Sequence, residues 1–363
     1  MIKLWGVGNL VMIIPLIRAV RRRFPDARIH FLTLESNADL LTPLPEIDDV
    51  ITLKTGSVLV TLANLLTLPL RLRALRSDLV LDFEQFLRIT PILSFLSGAP
   101  QRVGLQTPGQ YRASLYQIRV PYRTDRHMTL IFGDVIRSAG VSAAGLPRLE
   151  VPRNLAAAAA IEKRLEGITP PADPHASPSA SPSPLVVIHP GSGDNFPSRR
   201  WPVERFAALA ARVQRERNAR VVVTGTSPEK ALVREFAEHC STPFTSLVGE
   251  LKLMEFVELL ARADLLVTND TAPVHITSAL QRPLIAIYGP NTPDLYGPLH
   301  DTARVFYLNF PCSPCITNLN AKTSSCQIPS CILDIDGDWV TAAALDMLRP
   351  AEQDSFPDEA AWQ

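Results

Sequence analysis

The chain has no surplus of charge, its 36 lysines and arginines being matched by 36 aspartates and glutamates. A balanced chain offers a polyanion no general attraction, so nucleic acid is excluded as the expected partner. It also lacks an uninterrupted apolar run of bilayer length. Leu10 to Ile17 is interrupted by Pro15 and followed by Arg21-Arg22-Arg23, whereas a secretory signal carries its charges in front. Val58 to Leu70 is shorter than a membrane span and contains Asn64 and Pro69. These absences lead to the expectation of a cytoplasmic protein, soluble or peripheral to a membrane. A complete dinucleotide fingerprint is missing as well. Gly6 and Gly8 are followed by Val11 where a third glycine would stand, and hardly any strand precedes Gly6, which weakens a nicotinamide dehydrogenase reading.

Cysteine is scarce but clustered. Four of the five fall late, at Cys312, Cys315, Cys326 and Cys331. A C-x2-C pair with two further thiolates could supply the corners of a structural zinc site, although the second pair is spaced C-x4-C and no histidine lies close by. Reduced thiols packed in a loop are the alternative, with disulfides the least expected in a cytoplasmic chain. Asp334, Asp336 and Asp338 invite a calcium-loop reading, but Gly337 is misplaced and Leu345 stands where a bidentate acid is needed.

What is present is the alternation of a parallel α/β protein. At 363 residues, two domains are the natural division. Leu10, Ile13, Ile14, Ile17 and Val20 mark a first helix, and Ile29–Leu34 and Asp78–Asp82 read as strands ending in Glu35 and in Asp82-Phe83-Glu84. The N-terminal domain is expected to run to residue 168. Residues 169–184 are rich in Pro, Ser and Ala and read as an exposed linker. A second αβ domain is expected over 185–349, followed by a flexible tail, 350–363. Arg21–Arg23, Arg71, Arg73 and Arg76 make the N-terminal half basic beside apolar surface, which suits an anionic lipid or a phosphorylated substrate, or else solvated helix faces.

The richest stretch is Asp264–Thr292. Leu265–Val267 reads as a buried strand that stops at Thr268-Asn269-Asp270-Thr271, where a helix begins with Pro273 in its first turn. Thr271 is expected to cap that helix, leaving the amides of Thr271, Ala272 and Val274 to face an anion. The next strand, Leu284–Tyr288, delivers Gly289-Pro290-Asn291-Thr292 to the same sheet edge, where ligands of open α/β sheets sit.

Set beside His189-Pro190-Gly191, Arg199-Arg200-Trp201-Pro202, Gly225 with Glu229, Asp270-Thr271-Ala272-Pro273-Val274-His275 and Gly289–Thr292, this stretch resembles glycosyltransferase family 9. That group includes the ADP-heptose:lipopolysaccharide heptosyltransferases. At the N-terminus, Gly8-Asn9 with Pro15 corresponds to the family's Gly-Asp turn and following proline. The resemblance implies a GT-B fold, two Rossmann-like domains with parallel sheets facing a central cleft, and inverting, metal-independent transfer from a nucleotide sugar with no required cofactor. It places the donor, an ADP-sugar by preference, on Ser192, Arg199, Glu229, Asp270, Thr271, Ala272, His275, Asn291 and Thr292. A glycolipid or glycan acceptor would face the N-terminal domain, with peripheral attachment to the membrane.

One departure bears on catalysis, because Asn9 stands where the family carries its catalytic aspartate. A neutral amide cannot take a proton near neutral pH. The strand-end carboxylates Glu35, Asp82 and Glu84 are therefore the candidate replacement bases, and Asn9 itself could orient the acceptor. A catalytically silent nucleotide-sugar-binding protein is the competing expectation. Family members also have more residues before the glycine turn, which points to a missing segment or a late start.

Overall fold

The computed structural model describes residues 1–143, 145, 148–168, 183–193 and 196–349. The expected linker falls largely outside the described residues, at 169–182, and so does the tail, 350–363.

The N-terminal domain carries five parallel strands in two groups. β1 (His30–Leu34) pairs with β2 (Asp49–Leu53), and β3 (Leu79–Asp82) pairs with β4 (Gln101–Gln106), which pairs with β5 (Ile118–Pro121). Met1–Lys3 joins the groups into one sheet. The amide of Ile2 donates to Leu81 O at 2.8 Å and that of Lys3 to Leu32 O at 3.0 Å, while Leu32 and Phe83 donate back to Met1 O and Ile2 O. The segment that reads as too short for a strand is thus the central one, held by a neighbour on each side.

The C-terminal domain is a six-stranded parallel sheet ordered β11-β10-β9-β6-β7-β8. Its strands are β6 (Leu185–His189), β7 (Arg220–Val223), β8 (Thr245–Ser246), β9 (Leu265–Asn269), β10 (Leu284–Ile287) and β11 (Ala303–Phe306). Every residue of β6, β9 and β10 is buried, as continuous Val/Ile/Leu runs covered on both faces must be.

Between the domains lies the first helix, Val7–Arg23. Its apolar stripe packs against the helices Met128–Arg137 and Ala272–Leu280, so Leu10, Ile13 and Ile17 share one core with Val274 and Ile276. Polar ties cross the joint as well. Asn318 donates to the hydroxyls of Tyr122 (2.8 Å) and Tyr296 (2.9 Å), Gln110 donates to Leu319 O (2.8 Å), and His127 Nε2 meets Gly297 O (3.0 Å). The cysteine-bearing segment after β11 is therefore stitched to the N-terminal domain. The helix Leu155–Glu166, assigned on sequence to the N-terminal domain, instead packs on Leu253–Arg262. Arg153 forks onto Glu258 at 2.9 and 2.6 Å just ahead of it. The two sheets and the cleft between them form the GT-B arrangement that the resemblance implies.

Candidate functional site

A cleft of about 700 Å³ opens between the domains. Its N-terminal wall is made of Trp5 to Asn9 with Ser36 and Phe86, and most of the rest comes from loops at the C-terminal edge of the second sheet. Two helix starts, at Val7 and Ala272, open onto it, and each presents unpaired amides and the positive end of a helix dipole.

On the C-terminal wall, Asp270 is the hub. Its Oδ2 accepts from Asn291 Nδ2 at 2.7 Å and from Arg199 Nη1 at 3.2 Å. Arg199 also donates to Asp270 O and Ser192 O, and its guanidinium lies 4.4 Å above the Phe196 ring. Its buried Nε and Asn291 Oδ1 have no partner among the described residues, so this wall keeps one donor and one acceptor in reserve. Ser192 spends its hydroxyl proton on Phe196 O at 2.7 Å.

Glu229 is buried but firmly charged. Burial works against its ionisation, yet the amides of Thr226 and Gly193 and the Thr226 hydroxyl, at 2.8 to 2.9 Å, hold its pKa below the usual range. The carboxylate fills the space beside Gly191 so closely that a Cβ there would lie 2.0 Å from Oε1. Glu229 thereby ties the loops after β6 and β7 together. It also closes a capping box with Thr226 at the start of the helix that follows β7.

Three expectations about the Thr271 turn need correction. Its hydroxyl makes no cap bond and donates instead to Asn269 O at 3.3 Å. The Val274 amide is spent on Thr271 O at 3.1 Å, so the anion-ready donors are those of Thr271 and Ala272. Thr292 does not line the cleft; it is buried and caps the next turn by accepting from Asp294 N at 3.2 Å.

His275 lies at the seam. A Cβ on Gly8 would come 2.4 Å from its Cδ2, so glycine is what lets the first helix approach. Burial drives its pKa down to about 4, against the pull of Asp270, and Nδ1 has no partner among the described residues. His275 is therefore neutral at physiological pH.

The acceptor-side candidates separate sharply. Asn9 lines the cleft, and its side chain makes no hydrogen bond to another described residue. Glu84 is fully buried, accepting from Lys3 Nζ at 2.8 Å and from the amides of Leu4 and Trp5 at 2.7 and 2.8 Å. Asp82 is fully buried too, facing Arg112 at 3.2 Å, the Tyr116 hydroxyl and the Glu84 amide; burial raises its pKa and Arg112 opposes the rise. Glu35 is exposed and pairs with Lys54 at 3.4 Å. None of the three lines the cleft, because two complete buried ion pairs and the third points to solvent. Among the described residues, no carboxylate of the N-terminal domain faces the cleft.

Sequence reasoning missed Lys322. It reaches the cleft from the cysteine-bearing segment, its Nζ 4.5 Å from the Tyr296 ring centre, with no described carboxylate at salt-bridge distance. Burial brings its pKa down to about 8, against the pull of Asp270 and with the help of Arg199 and Lys3. The four late cysteines are free thiols. Cys312 and Cys326 are exposed while Cys331 is buried, its pKa pushed up to about 11 by burial and by the neighbouring thiols. No group of three or more His, Cys, Asp or Glu among the described residues is placed to hold a metal.

Comparison with known proteins fits this geometry. A family model described as glycosyltransferase family 9 (heptosyltransferase) matches residues 66–324. Lipopolysaccharide heptosyltransferase 2 of Escherichia coli K12 is 27% identical over 315 residues, covering 83% of this chain and 85% of its own. Among solved structures, a glycosyl transferase family 9 protein of Veillonella parvula aligns with a TM-score of 0.75 at 21% identity, covering 96% of this chain and 95% of its own. The E. coli ADP-heptose lps heptosyltransferase II aligns at 0.72 and 23%, covering 96% and 97%.

Proposed function

The chain belongs to glycosyltransferase family 9, and from that premise we propose that it moves a sugar, a heptose from ADP-heptose by preference, onto a lipopolysaccharide core or a related envelope glycan. The observation that carries the reading is the set of cations and helix amides around Asp270. Arg199, Lys322 and the first amides of the Ala272–Leu280 helix converge on one wall, as a pyrophosphate requires. Asn291 and the spare lone pair of Glu229 Oε1 remain for sugar or ribose hydroxyls.

In this reading the acceptor hydroxyl attacks the anomeric carbon from the Asn9 side. The new glycosidic C–O bond forms as the bond to the nucleoside diphosphate breaks, and the configuration inverts. Arg199 and Lys322 stabilise the charge gathering on the leaving phosphate. The Asn9 carboxamide oxygen accepts a hydrogen bond from the attacking hydroxyl and orients it, and the proton leaves to water. Transfer needs no resident metal. The setting is the cytoplasm, next to the membrane that holds the acceptor; no described helix is long and apolar enough to cross one.

The bare acceptor wall favours a second reading, a catalytically silent protein that binds a nucleotide sugar. One pair of measurements separates the two. A thermal-shift screen of ADP-, UDP-, GDP- and CMP-sugars should single out an ADP-sugar. Nucleoside diphosphate release, dependent on added glycan acceptor, then marks a transferase. Binding without release supports the silent protein, and no binding of any nucleotide sugar refutes both.

A further inference from the structure

The helix Val58–Ala74 turns its apolar side outward. Leu59, Leu62, Leu66 and Leu70 recur at helical spacing and are 78, 51, 68 and 72% exposed, while only Leu68 and Leu72 are buried beneath them. The helix Ile89–Leu96, packed alongside, adds exposed Ile92, Phe95 and Leu96. A contiguous apolar surface of this kind on a water-soluble domain marks a binding face.

Its charges say what it binds. Between Thr55 and Ser77 there is no acidic residue, and none between Ile89 and Pro100. Arg71, Arg73, Arg76 and Arg88 are exposed around the leucines and pair with no described carboxylate. Arg102 stacks over Phe95 at 5.3 Å. Leucines bordered by unpaired arginines, on a helix that cannot span a membrane, match an interfacial helix lying in the headgroup layer of an anionic bilayer. A protein partner would have to bring acidic counter-charges of its own, whereas the phosphates of a bilayer supply the counter-charge over the whole extent of the face.

We propose that the Val58–Ala74 and Ile89–Leu96 helices form a docking face for anionic lipid, with the leucines entering the acyl boundary and the arginines resting on phosphates. The Ile89–Leu96 helix follows the loop that leaves β3 for the cleft. Phe86, which lines the cleft, lies three residues ahead of Ile89, so docking would hold the cleft mouth near the bilayer. Exposure and charge alone define this face, whether or not the chain transfers a sugar.

The test is co-sedimentation of the full chain, without nucleotide, with phosphatidylcholine vesicles and with phosphatidylcholine–phosphatidylglycerol vesicles. The wild type should bind the anionic vesicles and bind the neutral ones far more weakly. Leu62→Glu/Leu66→Glu, at exposed sites where glutamate keeps the helix, should weaken binding by on the order of tenfold or more with an unchanged melting temperature. Arg71→Ala/Arg73→Ala, an independent variant, should cost about fivefold per charge and reduce the salt dependence, Arg76 and Arg88 remaining. Equal binding by wild type and both variants overturns the proposal. So does a wild type that runs as a dimer which Leu62→Glu/Leu66→Glu dissolves, because a second copy would then own the face.

Discussion

Asn9→Asp is the sharpest perturbation of the proposed chemistry. The exchange is isosteric, and Asn9 sits in the first turn of the Val7–Arg23 helix, which has no acidic residue there. A carboxylate at that position gains about 0.3–1 kcal/mol from the helix dipole, so the protein should become slightly more stable. Lys322 in the same cleft and the second helix start at Ala272 favour its ionised form. The side chain makes no hydrogen bond to another described residue, so the carboxylate arrives free to accept a proton. General-base catalysis contributes roughly 10²–10⁴-fold, and at about 1.4 kcal/mol per decade this lowers the barrier by about 3–5 kcal/mol. The assay is acceptor-dependent release of nucleoside diphosphate at saturating donor, run as a pH series. Turnover should rise by on the order of a hundredfold, and the profile should gain an acidic limb in the carboxylate range that the wild type lacks. A rate within twofold of wild type with an unchanged profile would refute the reasoning, because the attacking hydroxyl would then not sit at Asn9.

Three further outcomes follow from the geometry. Lys322→Ala should weaken donor binding by roughly ten- to a hundredfold, the range of a charge-assisted bond. The protonated amine is the binding form and its pKa is about 8, so wild-type affinity should fall as pH rises through that value, and calorimetric titration should find that limb missing in the variant. Gly8→Ala drives a methyl group into His275 at the domain seam and should cost about 1–3 kcal/mol, seen as a lower melting temperature and a KM raised more than kcat changes. Gly56→Ala, where the methyl group meets open space, should do neither. His127 and His275 are both held neutral by burial, with pKa values near 4 against 6.5 when unfolded. The unfolded chain binds more protons between those values, so stability should be level above pH 6.5 and fall by about a few kcal/mol toward pH 4. A melting series on His127→Gln/His275→Gln should lose most of that slope.

The second sheet was legible because its strands are short, unbroken Val/Ile/Leu runs closed by polar turns, and parallel strands buried on both faces can be built from little else. Leu265–Asn269 and Leu284–Ile287 therefore lie where the apolar runs put them, each within two residues. Met1–Lys3 was illegible for the opposite reason. Three residues carry no periodicity, and the segment is a strand only because Leu32 on one side and Leu81 on the other supply its hydrogen bonds. Lys322 lay in a polar segment with no motif. It enters the cleft because Asn318, four residues earlier, is pinned by Tyr122 and Tyr296, one from each domain.

The strand-end acids show where local reading stops. Asp82, Glu84, Glu229 and Asp270 all end or follow strands, yet only the last two reach the cleft. Glu229 is held by amides and a hydroxyl alone, and what divides the other three is where the cation that each meets lies. Lys3 and Arg112 lie inside the first domain, and each consumes a carboxylate to stay charged where no water reaches it. Arg199 lies at the rim, so Asp270 can neutralise it and still leave the guanidinium Nε unspent toward the ligand. A sequence shows the acids but not which basic residue the fold will set opposite them. The N-terminal wall of the cleft is consequently without a carboxylate among the described residues for two compounding reasons: the strand-end acids are committed to holding the central strand and its neighbours, and the first turn of the helix that opens onto the cleft carries Asn9 and no acid.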